Sequence, residues 1–411
     1  MDCTLRAAGF SCILGGNRFT KKWGEQHGNL SSLAAGHCDH EELIDFLNYV
    51  FGMNGADSGF YRLLPKLYKP ENRPEDYNYV VLEDGKLRAA VGAYPIELEV
   101  AGHVLRGAGI GNVAVHPFHR RKGYMKDAMG QAMEAILQSG ADFAALGGQR
   151  QRYSYFGFEP AGLCGTFGLN SANLRHALPG AGEGYAARKI GPADAAALEA
   201  IRAMTERQAS HPLRPQEKLY DVLNTWESQV CVVDGPQGGI AGYFLAKDGN
   251  DVPEIDCAAP EHAAGVLCAC YAFLQQERLS LHVPFHAQAM FDLLGDVAER
   301  ASIESTECYN VLCYERVLRA CLELKAQRAP LADGAITLAI QGYAGPERLR
   351  VAVSGGKPEV APAAEGEALP LTHRQAMNLF FGPWSPERLR LPAFAAGWFP
   401  LSLFVPEVDN D

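Results

Sequence analysis

The sequence predicts an α+β protein built from layers of sheet and helix, and three observations carry that prediction. Strand-forming runs flank tight turns such as Asp84-Gly85 and Gly355-Gly356. Segments with apolar residues at helical spacing follow the strand groups. The order helix, strand, strand, strand, helix occurs twice along the chain without a repeat in the sequence itself.

Taken in order, a helix begins near Asp39, because Leu43, Phe46, Leu47, Val50 and Phe51 recur on one face and Asp39 or His40 supplies a cap. Tyr77–Glu83 and Leu87–Val100 read as strands around Asp84-Gly85. Ala101-Gly102 turns the chain into a further strand region, Val104–Val115, giving consecutive antiparallel neighbours. A helix is predicted from about Arg121 to Ser139, with Met125, Ala128, Met129, Ala132, Met133, Ile136 and Leu137 on its apolar face and Gly140 as its stop. Phe143–Leu146 reads as a short buried strand. Arg150–Phe156 reads as a short helix ended by Gly157, and Phe158–Leu169 as a strand.

The Gly-rich stretch Pro179–Gly184 reads as a boundary. Beyond it, Pro192–Ala209 is a predicted helix. Gln229–Asp234, Gly242–Lys247 and Glu254–Cys257 are predicted strands, and His262–Gln276 is a helix. The final segment offers a helix at Tyr314–Ala326, strands at Ile336–Gln341, Arg348–Val353 and Lys357–Val360, and a helix at Leu371–Phe381 opened by Thr372. The resulting division is 1–28 as an N-terminal extension, 29–170, 171–305 and 306–411.

The formal net charge of −11 argues against a general nucleic-acid binder, which needs basic surface for phosphates. Eleven cysteines lack CxxC zinc spacing, so free thiols in a reducing, cytoplasmic setting are expected and no metal site is. No apolar run reaches the ~18 residues that would cross a membrane. The first 25 residues have no secretory pattern.

The chemistry concentrates in Gly111–Met125, where a strand ending at Val115 meets Pro117, three cations (Arg120, Arg121, Lys122) and Gly123 at a helix N-terminus. Unpaired N–H groups, added positive charge and a residue without a side chain make an anion site suited to a pyrophosphate. Taken alone, the same basic turn is equally readable as a solvated corner. After the next strand comes Arg152-Tyr-Ser-Tyr-Phe-Gly-Phe158.

Together these elements, spanning about 50 residues, resemble the GNAT acetyltransferase superfamily. The R/Q-x-x-G-x-G/A signature is present as Arg120-Arg121-Lys122-Gly123-Tyr124-Met125, with Met125 departing from the usual small residue. The Tyr-x-x-x-Gly-Phe element is present as Tyr153 to Phe158. Over residues 30–411 the chain resembles the Eis acetyltransferases. The resemblance implies tandem GNAT folds, the second degenerate, followed by a sterol-carrier-like domain whose end, Phe399–Phe404 plus seven residues, reaches the active site. The second unit has Ala258–Gly265 where an R-x-x-G would stand, so no second cofactor site is expected.

The resemblance implies acetyl-CoA as co-substrate and a primary amine as acceptor, either aminoglycoside-like, a polyamine or a protein lysine. Backbone groups of Val113 and Val115 would hold the pantetheine, with the Val115 N–H donating to the thioester oxygen. Arg120–Met125 would hold the phosphates, helped by the Arg121 and Lys122 side chains. Tyr153 would protonate the leaving thiolate, a role its phenol suits; Tyr155 and Tyr124 are the alternatives. The terminal carboxylate at Asp411 would be the base or positioner, with His116 and His119 as alternatives. Glu407 and Asp409 either line the cleft and favour a cationic acceptor or are plain surface at a chain end, and Trp384 and Trp398 either shape an amine pocket or pack in the core. Such relatives form hexamers, so a homo-oligomer is expected. The competing readings are a non-catalytic acyl-CoA or lipid-binding protein and an enzyme with a longer acyl donor.

Overall fold

A computed structural model describes residues 30–33, 36, 38–53, 59–383, 389 and 391–410. The expected extension 1–28, Trp384 and Asp411 lie outside the described residues. The first unit runs β1 (Leu30–Leu33), α1 (His40–Gly52), α2 (Phe60–Leu63), α3 (Pro65–Tyr68), β2 (Asn78–Glu83), β3 (Lys86–Val100), β4 (His103–Val115), α4 (Tyr124–Ser139), β5 (Phe143–Leu146), α5 (Arg150–Tyr153) and β6 (Glu159–Asn170). Asp39 caps α1 by accepting from the Glu42 N–H at 3.1 Å. The β2–β3 and β3–β4 hairpins turn where expected. Asp84 and Gly85 have φ of 53° and 70°, and Ala101 and Gly102 have 51° and 85°, the left-handed pairs that two-residue hairpins require.

The second unit contains α6 (Ser171–Ala177), β7 (Ala186–Lys189), α7 (Ala195–Thr205), β8 (Ser210–Pro212), α8 (Leu219–Leu223), β9 (Gln229–Asp234), β10 (Ile240–Lys247), β11 (Asp251–Cys257), α9 (Ala263–Leu274), β12 (Arg278–Pro284), α10 (Gln288–Val297) and β13 (Arg300–Val311). The strands β9, β10 and β11 followed by α9 match the order of β2, β3 and β4 followed by α4, but β8 and α8 come between α7 and these strands, where the sequence predicts none. The last unit is α11 (Tyr314–Arg328), β14 (Gly334–Gln341), β15 (Pro346–Ser354), β16 (Lys357–Pro362), β17 (Leu369–Thr372), α12 (His373–Phe380) and α13 (Ala393–Ala396). Thr372 caps α12 in a reciprocal box with Gln375.

Units one and two share one mixed sheet in the order β1-β2-β3-β4-β5-β13-β6-β12-β11-β10-β9-β7, with β8 added on β3. The fold is α+β. β13 enters between β5 and β6, pairing Cys308–Val311 with β5 and Arg300–Tyr309 with β6. The boundary expected between residues 305 and 306 therefore falls inside one strand. A separate sheet, β16-β15-β14-β17, carries the last unit.

Helix α4 buries Ala128, Met129, Ala132, Met133 and Ile136 against one face of the first unit's sheet. Helices α1 to α3 cover the other face through Leu43, Leu47, Phe60 and Tyr68. Each buried Leu, Ile, Met or Phe among these contributes roughly 1.5–3 kcal/mol of transfer free energy. Trp398 is fully buried in the core shared by β13, α11 and the small sheet, and its indole N–H donates to the Ala332 carbonyl at 3.0 Å. Trp398 is thus a core residue and lines no amine pocket.

Candidate active site

The site begins with a defect in β4. Gly92 of β3 faces Gly111, but Ala90 faces Ala114, so β4 carries one extra residue at Asn112–Val113. Asn112 adopts φ 41°, a left-handed conformation that Asn tolerates better than most residues. On its other side β4 runs parallel to β5 only from Gly107 to Ile110, opposite Phe143 to Leu146. Past that point the edge of β4 facing β5 has no strand partner among the described residues.

Backbone direction in this gap follows from strand alternation. The His116 N–H donates to the Arg88 carbonyl of β3 at 2.8 Å. Val115 lies one residue earlier in regular register with Ala89, so its N–H and C=O groups turn to the opposite edge, into the gap. The Val113 and Val115 side chains pack in one apolar cluster with Met125, Tyr124, Leu146, Phe156, Phe158, Cys308 and Tyr153.

An amide network fixes the bulge. Asn112 Nδ2 donates to Asn78 Oδ1 at 2.7 Å, and the fully buried Asn78 donates to the Pro74 carbonyl at 2.8 Å and the Tyr94 hydroxyl oxygen at 2.9 Å. Gly92 lies against Asn112 Oδ1 and the Tyr94 ring, which occupy the space a Cβ would need. Gly92→Ala is therefore expected to destabilise the fold by about 1–3 kcal/mol, read as a lowered denaturant midpoint at unchanged slope. Asn78, Gly92, Tyr94 and Asn112 were not singled out from the sequence. The bulge that joins them is a pairing irregularity, and only the Gly-Asn pair at 111–112 hinted at it.

Helix α4 starts at Tyr124, three residues later than Arg121, the start predicted. Arg121 (φ 69°) and Gly123 (φ 92°) are both left-handed, which no helix accommodates. The first helical bonds run from the Lys126 and Asp127 N–H groups to the Gly123 carbonyl, and no side chain caps the turn. A Cβ on Gly123 would meet nothing within 4 Å, so the helix N-terminus faces open space. Arg120 and Arg121 are exposed and form no ion pair among the described residues. Uncapped N–H groups and two uncommitted guanidinium groups fit a diphosphate in chemistry and in placement.

Lys122 differs from the two arginines. Its ammonium lies 2.8 Å from Glu83 Oε1, and the same carboxylate accepts from Tyr124 Oη at 2.7 Å and sits 2.6 Å from His119 Nδ1. The hydrogen bonds from Lys122 and Tyr124 hold Glu83 down at about 2, below the usual carboxylate range. Burial, then the bond to Glu83, pushes the Tyr124 phenol up to about 12. Glu83 thus anchors the basic turn to the end of β2. It escaped sequence reasoning because its partner is 39 residues away. His119 is tied to this cluster. Burial lowers His116, whose ring packs 5.3 Å from Tyr49 and 5.0 Å from His119.

Tyr153 ends α5 with only 8% of its surface exposed. Burial raises its phenol above the usual value. Its hydroxyl has no hydrogen-bond partner among the described residues, yet it is not one of the enclosed orphan atoms, so it opens to the gap or to solvent. Tyr155 is 57% exposed, with the Lys126 ammonium 4.3 Å from its ring centre. Tyr155 therefore lies outside the cluster that holds Tyr153.

Asp411, the candidate base, is outside the described residues, but the segment before it is fixed. Asn410 and Val408 are buried, and Lys66 Nζ donates to the carbonyls of both, at 2.7 Å to Val408. Asp409 pairs with Arg214 at 2.6 Å, and Arg214 also pairs with Glu254 at 2.8 Å. Glu407 pairs with Lys247. The expectation that Glu407 and Asp409 favour a cationic acceptor is thus corrected: both carboxylates are committed to cations of the second unit.

Residues 34–161 match the family described as an acetyltransferase (GNAT) domain. No curated protein matches the chain at a significant level. Among solved structures, a GCN5-related N-acetyltransferase from Kribbella flavida is 19% identical, with 85% of this chain and 87% of that chain covered and a TM-score of 0.59. A GCN5-related N-acetyltransferase from Anabaena variabilis is 15% identical over 84% and 88%, at 0.61. Eis1 from Mycobacterium abscessus is 16% identical over 84% and 87%, at 0.54. At these identities the likeness is one of fold, and it extends over all three units.

Proposed function

From the premise that residues 34–161 are a GNAT acetyltransferase domain, an acyl-transfer fold, we propose that this protein moves an acetyl group from acetyl-CoA to a primary amine. The observation that carries the reading is the parting of β4 from β5 beside the uncapped start of α4. A diphosphate on the turn at Arg120–Met125 would lay the pantetheine along β4 beside Val113 and Val115, with the Val115 backbone groups facing it. Arg120 and Arg121 are the side chains proposed for the phosphates, while Lys122 acts through Glu83 to shape the turn.

In the proposed reaction the amine lone pair attacks the thioester carbonyl. The carbonyl oxygen gains negative charge and accepts from the Val115 N–H. Collapse of the adduct breaks the C–S bond, and the thiolate takes the Tyr153 proton. The ammonium loses its proton to water or to Asp411, which follows the anchored Asn410. Tyr153 is reprotonated from solvent, and the products are an N-acetyl amine and CoA. A buried phenol remains protonated at neutral pH, as an acid must before it acts. The last unit is proposed to act as a scaffold of sterol-carrier type that delivers the chain end, and the assembly as a homo-oligomer.

Thiol release from acetyl-CoA in the presence of amines tests the reading. Release that depends on both acetyl-CoA and amine is expected, and bound acetyl-CoA with no release above background would favour a binding protein instead. Arg121→Ala should raise the acetyl-CoA KM about tenfold with kcat nearly unchanged, since an exposed charged contact to phosphate is lost. Steady-state kinetics at fixed ionic strength checks this, because screening alters the effect.

A further inference from the structure

We propose that Tyr155 and Lys126 form a subsite for the nucleotide end of CoA, with the Tyr155 ring under the adenine and the Lys126 ammonium on the 3′-phosphate. This rests on the acetyl-CoA reading and extends it to a choice between CoA and its 3′-dephospho form. In CoA the ribose follows directly on the diphosphate, so its base and third phosphate lie close to whatever holds that group. Lys126 comes three residues after Gly123, about 4.5 Å along the helix axis, and its N–H donates to the Gly123 carbonyl at 2.8 Å. Its ammonium sits 4.3 Å from the centre of the Tyr155 ring. Tyr155 follows α5, on the side of the turn where β4 parts from β5. The buried Phe156 braces that ring edge-on, with centroids 5.1 Å apart and planes at 87°. Tyr155 is 57% exposed, which leaves ring surface open to a ligand.

The chemistry of the two flanks of the turn favours this one. An aromatic face takes a stacked base as readily as a cation. Lys126 is exposed and forms no ion pair among the described residues. Asp127 feels its charge, but burial raises that carboxyl. Arg152 is also exposed and without an ion pair among the described residues, and it adds positive charge three residues before Tyr155. With Arg120 and Arg121 given to the diphosphate, Lys126 and Arg152 remain for the third phosphate. The opposite flank offers an exposed ring too, Phe118 at 78%. There, however, Glu83 holds both Lys122 and His119, and burial lowers the neighbouring His116. A phosphate on that flank would meet committed cations and a carboxylate. The chain end is anchored through Asn410 to Lys66 of α3, on the sheet face away from α4 and Lys126.

The test is calorimetric titration of the full chain with CoA and with 3′-dephospho-CoA, alongside the KM of each acetylated form. The parent is expected to bind CoA about tenfold more tightly than 3′-dephospho-CoA, the worth of one charged contact to phosphate. Lys126→Met should bring that ratio below about threefold. Tyr155→Ala should weaken both ligands about tenfold, as loss of one stacked base predicts, and Tyr155→Phe, which keeps the ring, should restore them. Both side chains lie at the surface, and melting curves that match the parent verify that the variants fold. Equal affinity of the parent for the two nucleotides would overturn the proposal. So would a ratio unaltered in Lys126→Met, or a loss of affinity that appears in Phe118→Ala and not in Tyr155→Ala. Failure of the folded parent to bind CoA in either form would instead remove the acetyl-CoA reading on which the proposal rests.

Discussion

Replacing Tyr153 with phenylalanine is expected to lower kcat by about 10²–10³-fold, the usual worth of one positioned general acid, while leaving acetyl-CoA affinity within about twofold. The argument is geometric. Tyr153 ends α5 and shares an apolar cluster with Val113, Val115 and Met125, the residues at the gap and at the helix opening proposed to hold the donor. Its hydroxyl donates to no protein atom among the described residues, so the substitution breaks no internal hydrogen bond. The ring, which packs close to Gly148, is retained. Stability should therefore change by well under 1 kcal/mol. Steady-state kinetics with calorimetric affinity separates the two effects. A kcat within threefold of the parent would remove Tyr153 from the acid role, and a large loss of affinity would make it a binding residue.

Arg214→Met is expected to destabilise the protein by about 3–5 kcal/mol, the cost of removing one partner from a buried ion pair. Only 4% of the Arg214 side chain is exposed, and its guanidinium bonds Asp409 at 2.6 and 2.9 Å and Glu254 at 2.8 and 3.0 Å. Burial pushes Glu254 up, but Arg214 and the Tyr243 hydroxyl outweigh it and hold the carboxyl below its ordinary value. In the parent, a carboxyl lowered on folding adds stability above its unfolded pKa and loses it as pH falls through the folded value. In the variant both carboxylates are buried without their cation, and the Glu254 carboxyl, left with the burial that pushes it up, rises above its unfolded value. The penalty is then felt at neutral pH and relieved as Glu254 protonates toward pH ~4. The stability gap between variant and parent should shrink on acidification. A gap of equal size at pH 7 and pH ~4.5 would show that lost packing, not stranded charge, is responsible. Because Asp409 precedes the proposed base by two residues, activity should fall even at temperatures where the variant is folded.

Much of this arrangement was legible in the residues. The hairpins at Asp84-Gly85 and Ala101-Gly102 are set by two-residue turn chemistry, and the apolar face of α4 by its helical period, so both are local. The basic turn was visible for the same reason. What escaped depends on non-local pairing. β13 is exposed on both faces over Arg300–Glu304, so its first half shows no alternation, and its place between β5 and β6 is decided by partners more than 130 residues away. The clamp of Glu83 on Lys122 and the Arg214 pair with Asp409 are likewise contacts across 39 and 195 residues. Asn112 escaped because a left-handed φ in a strand leaves no periodic trace. The start of α4 was misplaced because helical spacing continues through Arg121 while the backbone there does not.

The most direct measurement is a calorimetric titration of the folded chain with CoA and acetyl-CoA, repeated on Arg121→Ala. One site per chain is predicted, with an affinity on the order of 1 μM to 1 mM, the usual span of enzyme KM values, weakened about tenfold in the variant. Absence of binding to the parent, or binding that Arg121→Ala leaves unchanged, would contradict the assignment of the turn at Arg120–Met125 to the phosphates.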